Sequence, residues 1–150
     1  MEERLGRQLV VTAKGLHAAF DHRLAKVGGS LSTWVVLQHA LDQGELSQRL
    51  LAKRMSIEGP TLVRHLDRLE DEGLVKRRRD HADRRVVRVG VTAAGRRVYQ
   101  RLRRVADEME DEMRALLGER DHAALHNSLR RLHEWIATQH TEDAGEHQAG

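Results

Sequence analysis

One stretch of the chain decides the fold, residues 57–75, which read IEGPTLVRHLDRLEDEGLV. Pro60 suits the first turn of a helix, because its missing N–H would have no intrahelical partner there. Apolar side chains then recur at helical spacing, so that a core face and an opposite polar face are predicted. Gly73 ends the helix. The inward side chains are Leu62, Val63, Leu66 and Leu69, and the outward ones are Thr61, Arg64, His65 and Arg68.

The segments on either side complete a winged helix-turn-helix. Before the stretch, Leu46, Leu50, Leu51 and Met55 predict the core face of a short helix, and residues 56–59 form a turn. After Gly73 the apolar period changes from helical to alternating, which predicts strands at residues 74–78 and 86–91. The polar connection, residues 79–85, is predicted to be a hairpin tip.

Longer helical patterns occupy the two ends of the chain. An apolar stripe over residues 5–27 predicts one long helix, which Gly28 and Gly29 end, and Ser30 or Ser32 can cap a short helix over residues 34–41. Thr92 is predicted to cap a helix with apolar positions from Val98 to Leu116, and residues 125–136 predict a last helix. The polar tail from residue 138 is predicted to be frayed.

The composition excludes several classes of function. The chain has 150 residues and no Cys, so disulfides and thiol chemistry are excluded. The first residues do not resemble a signal peptide and no apolar run is long enough to span a bilayer, so a cytoplasmic protein is expected. No nucleophile motif or phosphate-binding loop is present, and the sequence predicts no enzyme and no cofactor.

The charge is concentrated in the middle of the chain. Residues 46–104 hold 17 Lys or Arg and 7 Asp or Glu, a net charge of +10, although the whole chain carries only +3. Such a basic segment is typical of a protein that binds a polyanion. A membrane surface is a weaker alternative because residues 76–79 lack apolar anchors, and a merely solvated surface remains open.

The predicted helix and hairpin suit double-stranded DNA. Long donors on the outward helix face can reach base edges in the major groove, and arginines at a hairpin tip suit the negative minor groove. The competing interpretation is that Arg64 and Arg68 only pair with acidic residues along the helix. An ion pair between Arg68 and Glu72, four residues apart, is expected in either case.

Residues 57–75, followed by Asp83-Arg84-Arg85, resemble the MarR family of bacterial transcription regulators. The SlyA branch is the most similar, because residues 21–24 and 34–35 also resemble it. The resemblance implies that Arg64 reads the major groove and Arg85 enters the minor groove. It also implies that Asp83 and Arg84 hold the shape of the wing.

The resemblance further implies a homodimer on a palindromic operator. The fold class is then mainly α (α+β), a winged helix-turn-helix domain with a helical dimerisation domain built from the N- and C-terminal helices. The domains are predicted as 1–29 and 95–138 for dimerisation, 30–94 for DNA binding, and 139–150 as a polar tail. The apolar stripes agree, because they are too long for one small core; they include Leu9, Leu16, Leu102, Val105, Leu129 and Leu132. An architectural, non-specific DNA-binding protein is the alternative.

Two further sites are weaker hypotheses. Many members of the family bind aromatic or phenolic carboxylates, and a crevice for such a ligand would be lined by His17, Phe20, Arg23, Trp34 and His39. The competing interpretation is that Phe20 and Trp34 belong to the core. His122 and His126 have the spacing of two metal ligands on a helix, but no third ligand is evident and a solvated helix face is favoured, so no metal is predicted.

Overall fold

The computed structural model describes residues 4–42 and 44–146, with side chains to residue 139. This part of the chain is mostly helical, with one small antiparallel sheet, which confirms the predicted mainly α winged-helix fold. The elements in chain order are α1 (Leu5–Ala25), α2 (Leu31–Asp42), β1 (Leu46–Ser47), α3 (Gln48–Met55), α4 (Gly59–Asp71), β2 (Val75–Arg79), β3 (Val87–Val91), α5 (Ala93–Leu117) and α6 (Glu119–Glu146).

The chain divides into two compact units between Asp107 and Glu108. The first unit contains the hydrophobic core, in which α2, α3 and α4 pack with the sheet. The second unit contains the end of α5 and all of α6, and most of its described side chains are exposed. The fully buried core side chains of the first unit include Val36, Leu37, Leu51, Leu62, Leu66, Leu69, Val75 and Val89.

The α4 helix forms as its sequence predicts. Leu62, Leu66 and Leu69 are fully buried, so the core holds one face of the helix. Gly73 ends the helix with a φ of +73°, in the left-handed region that glycine adopts without strain. The N–H of Leu74 then bonds the carbonyl of Leu69 at 2.8 Å, which turns the chain from α4 into the wing.

The strand β1 was not predicted. The sheet order is β1-β3-β2, and Leu46 pairs with Val89, so the prediction that Leu46 belongs to the helix is wrong. Ser47 is the N-cap of α3: its hydroxyl accepts the N–H of Leu50 at 3.2 Å, and the helix begins at Gln48. Leu50 is 39% exposed rather than a core residue, because α3 turns that side chain outward.

The start of α5 is fixed by two close contacts. The Thr92 hydroxyl accepts the N–H of Gly95 at 3.0 Å, which confirms the predicted cap, and donates to the carbonyl of Gly73 at 2.7 Å. A Cβ at Gly95 would lie 2.1 Å from the carbonyl oxygen of Leu74. Only glycine lets α5 approach the chain this closely.

The two ends of the chain differ in part from the predictions. The α6 helix continues to Glu146, so the frayed tail predicted from residue 138 is wrong as far as 146, and residues 147–150 lie outside the described residues. Leu102 is fully buried beside Gly29 in the first unit. It therefore packs inside a single chain and is not available to the dimer interface for which it was predicted.

Among the described residues, none of the helices combines the length and apolar composition that a membrane span requires.

Candidate nucleic-acid interface

The outward face of α4 presents the predicted polar side chains. Thr61 and Arg64 are exposed, and His65 is half-buried. Within the described part of the chain, the Arg64 guanidinium has no hydrogen-bond or ion-pair partner. The competing prediction, that Arg64 pairs with an acidic residue of its own helix, is therefore wrong, and its donors are free to reach outward.

His65 lies in surroundings that disfavour its charged form. Partial burial lowers the pKa of His65 below its ordinary value of 6.5, and the nearby charge of Arg68 lowers the pKa further. In its neutral form the imidazole can donate one hydrogen bond and accept another.

The Arg68 guanidinium is directed to α2. Its Nη2 donates to the hydroxyls of Ser32 at 3.1 Å and Thr33 at 3.2 Å. The expected ion pair with Glu72 does not form among the described residues, so that prediction is wrong. The physical reason is tertiary packing, which places two hydroxyl acceptors from another helix beside Arg68.

The wing is organised around Asp80, a residue that the sequence analysis missed. Its Oδ1 accepts the backbone N–H groups of Ala82 at 2.9 Å and Asp83 at 3.1 Å, and its Oδ2 accepts from Arg88. The Arg88 guanidinium, together with these two amides, lowers the pKa of Asp80 to about 2. An Asp at the start of a polar hairpin tip is the sequence signal for such a turn.

Asp83 holds the Arg85 side chain in place. Asp83 Oδ1 accepts the Arg85 backbone N–H at 3.0 Å and its Nε at 3.2 Å, and Oδ2 accepts Nη2 at 3.4 Å. The Arg85 side chain is nevertheless 92% exposed. Arg84 is exposed as well, and its carbonyl accepts from Arg79 Nη1 at 2.8 Å. The tip of the wing thus projects two cations, one of them oriented by a carboxylate.

Several other arginines of the basic segment serve the structure. Arg77 bonds Asp67 at 2.5 Å and Glu70 at 2.6 Å, which ties β2 to α4. Arg78 pairs with Glu45, and Arg88 pairs with Asp80. The densest basic run in the sequence therefore contributes fewer free cations than its composition suggests.

A cleft of about 460 Å³ between the wing and the start of α3 is lined by both Arg49 and Arg85.

The proposed ligand residues are brought together only in part. Phe20 and Trp34 stack with their ring centroids 6.1 Å apart and their planes at 11°. The Trp34 Nε1 is buried and has no hydrogen-bond partner among the described residues. His17 lies on α1 beside an open depression that Asp21 also lines. His39 follows Trp34 by five residues on α2, about 140° around the helix, and so faces another direction.

His122, at the start of α6, contacts a carboxylate of α5. The Nε2 of His122 lies 2.7 Å from Glu110 Oε1, and this contact ties the start of α6 to α5 within the second unit. His126 is exposed on the following turn. In the described ranges, no cluster of three or more His, Asp or Glu side chains is arranged to hold a metal ion.

The fold and this surface define a winged helix-turn-helix protein. Residues 30–87, about two fifths of the chain, match the sequence model of the MarR family. The matched family model and the transcriptional regulators of similar fold, PA4135 at 25% identity and BldR of Sulfolobus solfataricus at 27%, indicate a transcription regulator rather than an enzyme. The predicted resemblance to the MarR family is confirmed over these residues, and the placement in the SlyA branch stays a prediction.

Solved structures of similar fold cover most of the chain. The S. aureus protein MepR in complex with DNA has a TM-score of 0.81 at 23% identity, over 89% of this chain and 98% of that one. A mutant of E. coli MarR in complex with operator DNA has a TM-score of 0.79 at 22% identity, over 85% and 92%. BpsR of Bordetella bronchiseptica, whose DNA binding is regulated by 6-hydroxynicotinic acid, has a TM-score of 0.79 at 25% identity, over 87% and 98%.

Proposed function

We propose that this protein is a sequence-specific DNA-binding transcription regulator that binds a palindromic operator as a homodimer. The observation that carries the proposal is Arg64, which has no hydrogen-bond or ion-pair partner among the described residues and is exposed on the outward face of a helix whose other face is fully buried. The DNA complexes of MepR and MarR, which share the fold, support it. A regulator that binds an operator must reach the DNA of the cell, so we propose a cytoplasmic location.

The two cationic elements have different roles. Arg64, with Thr61 and His65 beside it, enters the major groove, where a guanidinium can bond guanine O6 and N7 together. Arg85 enters the minor groove, where a narrow groove deepens the negative potential. Asp83 aims Arg85, and the Arg84 charge lies close to the phosphates. Arg68 was predicted to belong to this set, but its guanidinium donates to the hydroxyls of Ser32 and Thr33 on α2.

The exposed apolar side chains support a dimer. In the first unit, α1 exposes Leu5, Val10 and Val11 by 64%, 56% and 58%. In the second unit, Trp135 and Ile136 of α6 are 59% and 47% exposed. A monomeric protein rarely leaves so much apolar surface in water, and a second copy covers the same patches on both chains by two-fold symmetry. Leu16, Leu125 and Leu129 belong to the same surfaces.

Sedimentation tests the dimer directly. At micromolar concentration the sedimenting mass should be twice the 17.1 kDa of one chain. Leu129→Glu should shift the equilibrium to monomer, because it places a charge in the interface. The matched control is Leu50→Glu on α3, which has similar exposure and should remain dimeric. A monomeric wild-type protein under these conditions would contradict the proposal.

A small aromatic carboxylate is the proposed effector. Trp34 offers a stacking surface beside Phe20 and a buried N–H that has no partner in the described part of the chain. A hydroxy-substituted aromatic acid regulates the DNA binding of BpsR. The variant Trp135→Phe leaves Trp34 as the only tryptophan. Its fluorescence should change on titration with 6-hydroxynicotinic acid or salicylate, and no change with any aromatic acid would contradict the effector proposal.

The function is tested by selecting an operator from random duplexes. The enriched sequence should be a palindrome, and its affinity should exceed that of a scrambled duplex by about 10³-fold or more. Equal affinity for both duplexes would instead indicate the architectural alternative. No binding to either duplex at low salt would refute DNA binding.

A further inference from the structure

The structure assigns Arg68 a positioning role: we propose that it ties the recognition helix α4 to the start of α2 and thereby fixes the direction in which Arg64 enters the groove. The inference rests on the proposed DNA-binding function. It changes the predicted role of Arg68 from a direct DNA contact to a residue that acts through the placement of α4.

The tether is a forked hydrogen bond between two helices. Arg68 lies in the last turn of α4, and its Nη2 reaches the hydroxyls of Ser32 and Thr33, 36 and 35 residues earlier in the chain. Thr33 is only 5% exposed, so the guanidinium is directed toward a buried acceptor. Hydrogen bonds that involve a charged group are the stronger class.

The acceptor side of the tether is itself held in place. The Ser30 hydroxyl accepts the backbone N–H of Thr33 at 3.1 Å and lies 2.9 Å from its Oγ1. The Leu31 N–H donates to Asp21 Oδ1 of α1 at 2.8 Å. The start of α2 is thus fixed by its own hydroxyl network and by α1, and Arg68 extends this fixed point to α4.

Packing alone does not set the rotation of α4 as well as a directional bond does. Leu62, Leu66 and Leu69 contact the core through apolar surface, which is non-directional and tolerates small rotations. Arg64 lies one turn before Arg68 on the same side of the helix. A rotation that Arg68 prevents would therefore move the Arg64 guanidinium away from a base edge, where a bidentate contact demands close geometry.

The first arm of the experiment tests the tether without DNA. Hydrogen exchange of the α4 amides is measured in the wild type, in Arg68→Met, in Ser32→Ala/Thr33→Val and in the combined variant. Both partial variants should accelerate exchange in α4 about tenfold. The combined variant should be no faster than Ser32→Ala/Thr33→Val, because that variant already removes both hydroxyl acceptors of Arg68. Arg101→Met, which removes an exposed arginine from α5, is the control and should match the wild type.

Unchanged α4 exchange in Arg68→Met would overturn the inference, and so would accelerations that multiply in the combined variant. This arm needs no operator. Its result is therefore independent of whether the proposed DNA-binding function holds.

The second arm measures affinity for the selected operator and for a scrambled duplex. Arg68→Met and Ser32→Ala/Thr33→Val should each weaken operator binding about tenfold without multiplying in the combined variant. Scrambled binding and the salt dependence should remain near those of the wild type, because no phosphate contact is lost. Arg68→Lys, which keeps a donor, should recover part of the affinity.

A direct DNA contact gives a different pattern. Arg68→Met would then lower affinity for both duplexes, reduce the log–log salt slope by about 0.9 if the contact is to a phosphate, and leave Ser32→Ala/Thr33→Val without effect. That pattern would overturn the inference and keep the proposed function. A wild-type protein that does not distinguish the two duplexes would contradict the proposed function, whatever the exchange arm shows.

Discussion

Arg64→Ala tests the base-reading role of α4. Arg64 is exposed and has no hydrogen-bond or ion-pair partner among the residues described, so truncation breaks no such bond and the free energy of unfolding should change by less than about 0.5 kcal/mol. A bidentate arginine–guanine contact contributes about 1–3 kcal/mol of discrimination. A dimer on a palindrome loses this contact twice, about 2–6 kcal/mol, which is roughly a 30-fold to 20,000-fold loss of operator affinity.

The assay is fluorescence anisotropy with three labelled duplexes: the selected operator, a scrambled sequence, and the operator with its flanks changed from A·T to G·C. Arg64→Ala should weaken the operator far more than the scrambled duplex. Arg85→Ala should weaken both, most strongly with A·T flanks, because Arg85 senses groove width and potential rather than a base pattern. Arg101→Ala is the charge-matched control and should bind like the wild type.

Two results would refute this reasoning. An equal loss on operator and scrambled DNA for Arg64→Ala would mean that Arg64 contacts phosphate and not bases. Unchanged affinity of Arg85→Ala on every duplex would mean that the wing does not enter the groove. Circular dichroism and sedimentation of each variant should match the wild type, so that any change is one of binding and not of folding.

Three further predictions follow from single contacts. Gly95→Ala should destabilise the protein by about 1–3 kcal/mol or more in urea unfolding, since its Cβ would meet the Leu74 carbonyl; equal stability would contradict the close approach. The pKa of Asp80 is about 2 against an ordinary 3.8. The charged carboxylate therefore stabilises the fold fully above about pH 3.8, and this contribution is lost as the pH falls toward 2. The free energy of unfolding of Asp80→Asn should fall less over this interval than that of the wild type. Operator affinity should fall with a log–log salt slope of about −0.9 per phosphate neutralised, and a slope near zero would exclude DNA binding.

The local sequence pattern was sufficient to predict those elements whose structure depends on residues close together in the chain. The spacing of Leu62, Leu66 and Leu69 defined the buried face of α4, and the alternation of Val87, Val89 and Val91 defined a strand. Turn and cap residues such as Gly73 and Thr92 act within a few positions of themselves. For this reason the helix-turn-helix, the wing and the exposure of Arg64 could all be predicted from the order of residues.

Only the tertiary structure decided which distant groups meet. Leu46 became a strand because β3 offered it a partner, and Leu102 became core because Gly29 lies against it. Arg68 bonds α2 hydroxyls in preference to Glu72 on its own helix. Periodicity records which face of a helix is buried, but it contains no information on which polar groups another element brings to that face. The sequence by itself therefore determined the helices, the two hairpin strands and the outward face of α4, whereas packing determined strand β1 and which arginines bond to other elements of the fold.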